Sequence, residues 1–446
     1  MSNIINNFNE GVDHLKTPQE KHFDKKDIQT HLKHQLLENY IIRWSNVLGG
    51  ATFAGKFNKI HFVDGFAGRG SFHDGEAGSP LIAINHLFHL QRKFYELYQS
   101  SNLRFIIHTV ESYPEYQSAL DELIQTAPLP EQIKNYKGKF EEHLPKILNR
   151  TSGSPALYFI DPFGYKGVQM DDIQSILSQQ SHEVLVNVMS RSIGRNLSIE
   201  KNRAEIKKFF GVKEIPDDIA KYLKISSASD KKLFMGDMVF ENLESSIIGL
   251  FKEQLRIRFE ADSIFTLSKR IYSKINPMQY FHLVFATRNR KGLVEMKTSM
   301  VKYEEQKTII EDTFLRNNNP ELVFMDDLFS TSGQLSNYNY KSFVIDFEKH
   351  FNNTGVTGIK FSKIVDYYLQ ATPLPFRDNS GKSIYDYFLR LRGRGYFVRT
   401  EGGRAFADLD EHENIIVRAS LPKSFVNNVP DDDGAQDDQE PTLFNF

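Results

Sequence analysis

Three short stretches hold residues whose types and spacing suit the binding of a small polar ligand. The first is KIHFVDGFAGRGSF, Lys59 to Phe72, an apolar run that ends in Asp64 and enters a turn containing Gly65, Gly68 and Gly70. Such a turn serves either of two ends. Glycine supplies the positive φ of a tight strand-to-helix turn, and its missing Cβ lets a ligand approach the backbone. The second stretch, LRFIIHTVE, ends in Glu111. A carboxylate at a strand end can accept from both ribose hydroxyls of a nucleoside cofactor, or can simply be solvated there. The third, YFIDPFG, places Asp161 after an apolar run and Pro162 where the strand must stop. Asp161 can accept a hydrogen bond from an amine, and Phe163 or Tyr165 can stack on a flat base. The structural alternative is that Asp161 caps the breaker-rich turn PFGYKG.

Two basic stretches suit a different chemistry. RSIGRNLSIEKNRAEIKKFFG carries Arg191, Arg195, Lys201, Arg203, Lys207 and Lys208, and reads first as a solvated helix face. FLRLRGRGYFVR carries Arg390, Arg392, Arg394 and Arg399 among Phe388, Tyr396 and Phe397. Basic residues interleaved with aromatics suit phosphate contacts with stacking. The alternative is that they pair with acids such as Asp386 and Glu401. His31, His34 and His61 have no partners at metal-ligand spacing and read as surface or core histidines. With no cysteine in the chain, disulfides, thiolate nucleophiles and cysteine-ligated zinc are excluded.

The elements that must position these residues follow from periodicity. DIQTHLKHQLLENYIIRWSNVL has Ile28, Leu32, Leu36, Leu37, Tyr40, Ile41 and Trp44 at helical spacing, with a GGATFAGK loop after it. GSPLIAINHLFHLQRKFYELYQ predicts a helix with Ser79 as N-cap and Pro80 in its first turn. Apolar strands at Lys59 to Asp64, Leu103 to Glu111, ALYFIDPFG and EVLVNVM alternate with helical segments. Strands this apolar are buried on both faces, which predicts a parallel α/β sheet covered by helices. Residues 195–265 read as a helical insertion, and YFHLVFATRN as a later strand that returns to the sheet. Beyond 335, three helical pieces and YFVRTEGGRAFADL, two short strands around a turn, predict a winged-helix-like module over 335–422.

Composition bounds the class. The 446 residues are 40% hydrophobic and 25% charged, the profile of a globular chain long enough for two or three domains. No apolar run reaches the ~18–20 residues that span a bilayer, and the first residues carry no apolar signal segment. These features predict a cytoplasmic protein without a membrane segment. The formal charge of −2 is misleading, because the last 16 residues hold six acids and no base. Without them the body stands at +4, and residues 430–446 read as a disordered acidic tail.

The order glycine turn, strand-end acid, then Asp-Pro-aromatic resembles Rossmann-type methyltransferases that use S-adenosylmethionine. FVDGFAGRGSF resembles their first motif, HTVES their ribose-binding strand, and FIDPFG the Asp-Pro-Pro-Tyr motif of enzymes that methylate exocyclic amines of bases. More specifically, KHQLLENYIIRW, VDGFAGRGSFHDGEAGSPLIAI, YFIDPFGYKGV, VLVNVMSRSIGRNL and FHLVFATRNRKGLVEMKTSM look like the three-Cys-motif partner family, TcmP, over about residues 25–305. There is also a more distant similarity to ribosomal-RNA adenine methyltransferases, carried by Gly78-Ser79-Pro80 and Lys33-His34. The resemblance implies a Rossmann-like class I methyltransferase-type fold that binds S-adenosylmethionine, acts on nucleic acid (DNA or RNA) and works with a radical-SAM-like protein bearing the three cysteines. It implies cofactor contacts at Lys33, Asp64, Gly65, Phe66, Gly68, Gly70, Glu111 and Phe140. It implies transfer at Asp161, Pro162, Phe163 and Tyr165, while the basic and aromatic residues of FLRLRGRGYFVR themselves point to nucleic-acid contacts at Arg390, Arg392, Arg394 and Arg399. The rival reading is a non-catalytic subunit that holds a nucleoside or nucleic acid. The chain departs from the family pattern twice. Phe163-Gly164 stands where a second proline and the aromatic are expected, and Lys139, followed by Glu141 and Glu142, stands near the position of an adenine-proximal acid.

Overall fold

The computed structural model describes residues 26–53, 56–98, 102–197, 199–221, 237–259, 263–275, 280–318, 338–351, 359–378, 381–393 and 416–417. The chain divides into two compact units, Met1–Glu295 with Ile309–Phe324, and Met296–Thr308 with Met325–Phe446.

The first unit is built on a sheet of β1 (Lys59–Asp64), β2 (Arg104–Glu111), β3 (Ile133–Lys137), β4 (Ala156–Ile160), β5 (His182–Val188), β6 (Phe265–Tyr272) and β7 (Tyr280–Thr287). Their order is β3-β2-β1-β4-β5-β7-β6, the order of the class I methyltransferase fold. The sheet is mixed, with the parallel core expected of a class I methyltransferase-type sheet and one reversed strand. β1 to β5 pair in parallel, whereas β7 pairs antiparallel with both β5 and β6. Only β7 therefore runs against the other six strands. The carboxyl ends of β1, β2, β4 and β5 lie along one edge, and the reversed β7 begins at that same edge. The strand order turns between β1 and β4, and such a switch point leaves a crevice at the carboxyl ends.

Helix α1 (Ile28–Phe53) is capped by Asp27, whose Oδ1 accepts the Thr30 amide at 2.6 Å. Its seven periodic apolar residues are all buried. It runs on through the expected GGATF loop, because Gly49 and Gly50 continue the helix. Then come α2 (Ser79–Tyr98), α3 (Pro114–Gln125), α4 (Phe140–Thr151) and α5 (Met170–Leu177). Ser79 is the first residue of α2 rather than its N-cap, since the Ile82 amide bonds the Gly78 carbonyl at 3.0 Å.

The segment between β5 and β6 is helical as expected, with α6 (Ser190–Leu197), α7 (Glu200–Phe210), α8 (Asp217–Ala220) and α9 (Asp237–Arg258). It is not a detached insertion. Phe209, Phe210, Leu243, Ile247, Phe251 and Leu255 join Tyr158, Val184 and Val186 in one core cluster, so these helices cover the sheet. α10 (Arg290–Asn318) follows β7.

In the second unit lie α11 (Tyr340–Phe351), the two-residue strand β8 (Ile359–Lys360), α12 (Phe361–Ala371), α13 (Ile384–Gly393) and β9 (Ile416–Val417). Phe343 stacks on Tyr368 with centroids 4.3 Å apart, and Phe388 packs edge-on against both. The expected wing at 396–409 and the acidic tail lie outside the described residues. No helix among the described residues is long and apolar enough to cross a membrane.

Candidate functional site

A cavity of about 470 Å³ opens at the carboxyl edge of the sheet, within the size range of small-ligand sites. Its walls come from the glycine turn, the start of α1, the residues after β4 and β5, and the first residues of β7.

The turn is fixed from behind. The Gly65 amide bonds the Phe159 carbonyl and the Ala67 amide bonds the Val110 carbonyl, both at 2.9 Å. Glu111 Oε2 accepts the Gly68 amide at 2.7 Å, and its Oε1 accepts the Tyr113 amide at 2.7 Å. Gly68 and Gly70 take φ of 59° and 82°, the left-handed region that costs glycine little. The following residues double back through a Ser71–Ala77 bridge, and the Lys26 ammonium ties that loop to the start of α1 through the Ala77 carbonyl at 3.0 Å.

Asp64 is fully buried under the turn. Burial pushes its carboxyl up to about 7, with the nearby Ser79 hydroxyl and the Phe66 amide offsetting part of the rise. Burial likewise raises Glu111, against the amides it accepts.

Across the cavity, Asp161 is held by two donors. The Lys33 ammonium of α1 forms an ion pair with its Oδ2, and Asn187 Nδ2 donates to its Oδ1 at 2.6 Å. Because a carboxylate only accepts, the Asn187 amide must turn its nitrogen to Asp161. The Lys33 ammonium also lies 5.2 Å from the centre of the Phe281 ring. Gly164, just beyond the Asp-Pro pair, donates its amide to Met189 Sδ at 3.0 Å, fixing the turn after β4 to the end of β5.

The sequence candidates separate into three groups. Lys33, Phe66, Gly68, Gly70, Asp161, Pro162 and Phe163 line the cavity. Asp64, Gly65 and Glu111 stand behind the turn and shape it. Phe140 and Tyr165 are placed differently from the expectation. The Phe140 ring is buried in the core cluster, 5.8 Å from the Phe66 ring and so close to Gly65 that a Cβ there would meet it at 2.9 Å. Phe140 supports the turn from beneath. Tyr165 is 5% exposed and belongs to the same core, whereas Phe163 is 50% exposed and lines the cavity.

Arg390 lies over the rings of Tyr340 and Tyr387, at 5.4 and 5.6 Å, within its own unit. Arg392 belongs to α13, and Arg394 and Arg399 fall outside the described residues. Sequence reasoning missed Asn187, Met189, Tyr280 and Phe281 and read Arg191 and Arg195 first as a solvated helix face; all six line the cavity, with Arg191 half-buried and Arg195 exposed. The polar Asn187, after the apolar run Val184–Val186 of β5, was the one available signal.

No family model matches the chain, and no curated protein matches it. Distant structural likenesses are found among solved structures. The O-methyltransferase TomG from Streptomyces achromogenes, in complex with SAM, is 13% identical over 60% of this chain and 85% of its own, with a TM-score of 0.31. The protein LPL1258 from Legionella pneumophila is 12% identical over 66% and 94%, with a TM-score of 0.33. An O-methyltransferase from Bacillus cereus, in complex with SAH, is 11% identical over 59% and 91%, with a TM-score of 0.26. The methyltransferase-like fold of this chain rests on its own strand order and register.

Proposed function

We propose that the chain is an S-adenosylmethionine-dependent methyltransferase acting on an exocyclic amine of a nucleic-acid base. The observation that carries this reading is the convergence of the glycine turn and Asp161-Pro162-Phe163 on one cavity at the switch point of the sheet. The donor set fits the cofactor: glycine backbone at the cavity wall, Glu111 behind it with lone pairs to spare, and the Lys33 ammonium opposite. When bound, S-adenosylmethionine supplies an electrophilic methyl group.

The chain's own residues do the rest. Asp161, held by Lys33 and Asn187, keeps two of its four lone-pair directions for a target amine. Accepting from that amine biases the nitrogen lone pair toward the methyl group without removing a proton beforehand. Phe163 offers a face for the base, and orientation of the reacting atoms supplies most of the acceleration. A base in a duplex must leave its stack to enter. The resemblance to TcmP extends the proposal to a radical-SAM-like three-cysteine partner.

One observation favours the second reading, a non-catalytic subunit that binds a nucleoside or nucleic acid: both Asp161 oxygens already have protein donors. Calorimetry with S-adenosylmethionine, then transfer of labelled methyl to mixed DNA and RNA, separates the two. Cofactor binding with label in one nucleic acid supports the enzyme. Nucleic-acid binding without transfer, in the presence of the three-cysteine partner, supports the subunit.

A further inference from the structure

The mouth of the cavity has a chemistry of its own. Helix α6 begins just after β5 and places Arg191 and Arg195, four residues apart and so on one face, in the cavity wall. Arg191 stacks over Tyr280, with its guanidinium 5.4 Å from the ring centre, and Arg270 lies over the same ring at 4.2 Å. Arg195 is exposed and has no ion-pair partner among the described residues. The Phe163 ring, half in solvent, lines the same cavity. Deeper in, the charge of Asp161 is met by Lys33, and Glu244, beneath Tyr280, is buried against Ser190 and Arg270. The mouth is thus cationic and aromatic around a polar floor.

We infer that Arg191, Arg195 and Phe163 form a phosphate-and-base clamp, so that the site takes a nucleotide within a single strand of nucleic acid rather than a free base or nucleoside. The inference rests on the methyltransferase reading only for what happens at Asp161. The clamp itself needs an anionic group beside a flat ring. A guanidinium binds phosphate through paired N–H donors, and a base stacks on an aromatic face whatever its sequence. Lodging one base on Phe163 brings the flanking phosphodiester toward α6, where among the described residues no acid pairs with Arg195.

The test is fluorescence anisotropy with labelled mixed-sequence 12-mers of single-stranded DNA and RNA at several salt concentrations. It compares the full chain with Arg195→Ala, Arg195→Glu and Arg195→Lys, with calorimetry of S-adenosylhomocysteine on each. Arg195→Ala is expected to weaken oligonucleotide binding about tenfold. It should also flatten the log–log salt slope by about 0.7, one phosphate contact on a single strand. Arg195→Glu weakens binding further, Arg195→Lys restores part of it, and excess adenosine does not compete. S-adenosylhomocysteine affinity and the melting temperature stay unchanged throughout. Equal affinity and slope in Arg195→Ala, or absence of oligonucleotide binding by the wild type, overturns the clamp. Oligonucleotide binding that behaves as expected while S-adenosylhomocysteine fails to bind leaves the clamp standing and overturns the methyltransferase reading.

Discussion

Lys33, in the second turn of α1, forms an ion pair with Asp161 at the end of β4, 128 positions along the chain. The pair joins the covering helix to the candidate catalytic motif at the cavity floor. Both side chains are mostly withdrawn from water, and Lys33 is the more enclosed of the two. Removing one member of a buried pair strands the other charge.

Asp161→Ala is therefore expected to do two things at once. It takes away the proposed amine acceptor and leaves the Lys33 ammonium without its carboxylate, at a cost of about 3 kcal/mol. Asp161→Asn keeps an acceptor oxygen and is expected to cost less. Lys33→Met with Asp161→Asn should be less destabilising than the sum of the single changes, by about 1 kcal/mol or more. Denaturant unfolding of the four proteins measures this coupling. Strict additivity would mean that the ion pair contributes nothing to the fold.

The glycine turn makes a second prediction. The Gly78 amide bonds the Gly70 carbonyl at 3.0 Å, and a Cβ on Gly78 would meet that same oxygen at 2.8 Å. A backbone atom cannot swing aside as a side chain can. Gly78→Ala is expected to force the turn open, lowering stability by about 1–3 kcal/mol and weakening S-adenosylhomocysteine binding. Gly50→Ala is the matched control. Gly50 is helical and exposed, with nothing near its Cβ position, so the same change should stabilise by about 0.5–1 kcal/mol. Melting curves that move in the same direction for both variants would rule out this account of the turn.

Much of this arrangement was legible in the sequence, and the parts that were not share a cause. Periodicity found α1 because all seven apolar positions face the core. The apolar runs found β1, β2, β4, β5 and β7. β3, Ile133–Lys137, and β6, Phe265–Tyr272, are the outermost strands of the sheet and carry lysine, asparagine, serine and arginine. Edge strands are only partly covered and lack the continuous apolar signal.

The motifs marked the turn and Asp161 because their spacing is local. Tyr280 and Phe281 reach the cavity only because β7 is reversed, setting Val188 opposite His282. That pairing is a tertiary fact with no local signature. Which of Phe163 and Tyr165 faces the cavity turned on burial, and two aromatics in a breaker-rich turn look alike until the core is known.

The third prediction concerns pH. Glu183, the second residue of β5, is buried and accepts the Tyr40 hydroxyl at 2.6 Å and the Thr287 hydroxyl at 2.8 Å. Burial pushes its carboxyl up from 4.5 to about 7, despite those two donors. Between these values the folded chain holds a proton that the unfolded chain has released. Stability from this group is therefore fully present below about pH 4.5 and is lost as pH rises through about 7. His61 and His108, bonded to each other at 3.0 Å, act in the opposite sense. Burial lowers them to about 4 and about 3, so their contribution is complete above 6.5 and is lost as pH falls. Glu183→Gln separates the two effects, because an amide is neutral throughout and a hydroxyl can donate to it or accept from it. Relative to the wild type, the variant should be near neutral at pH 5 and more stable by on the order of 2–3 kcal/mol at pH 8. Chemical unfolding at constant ionic strength from pH 5 to 8.5 gives the comparison. Parallel curves for the two proteins would show that the buried carboxylate is ionised across the whole range and that its burial carries no pH-linked cost.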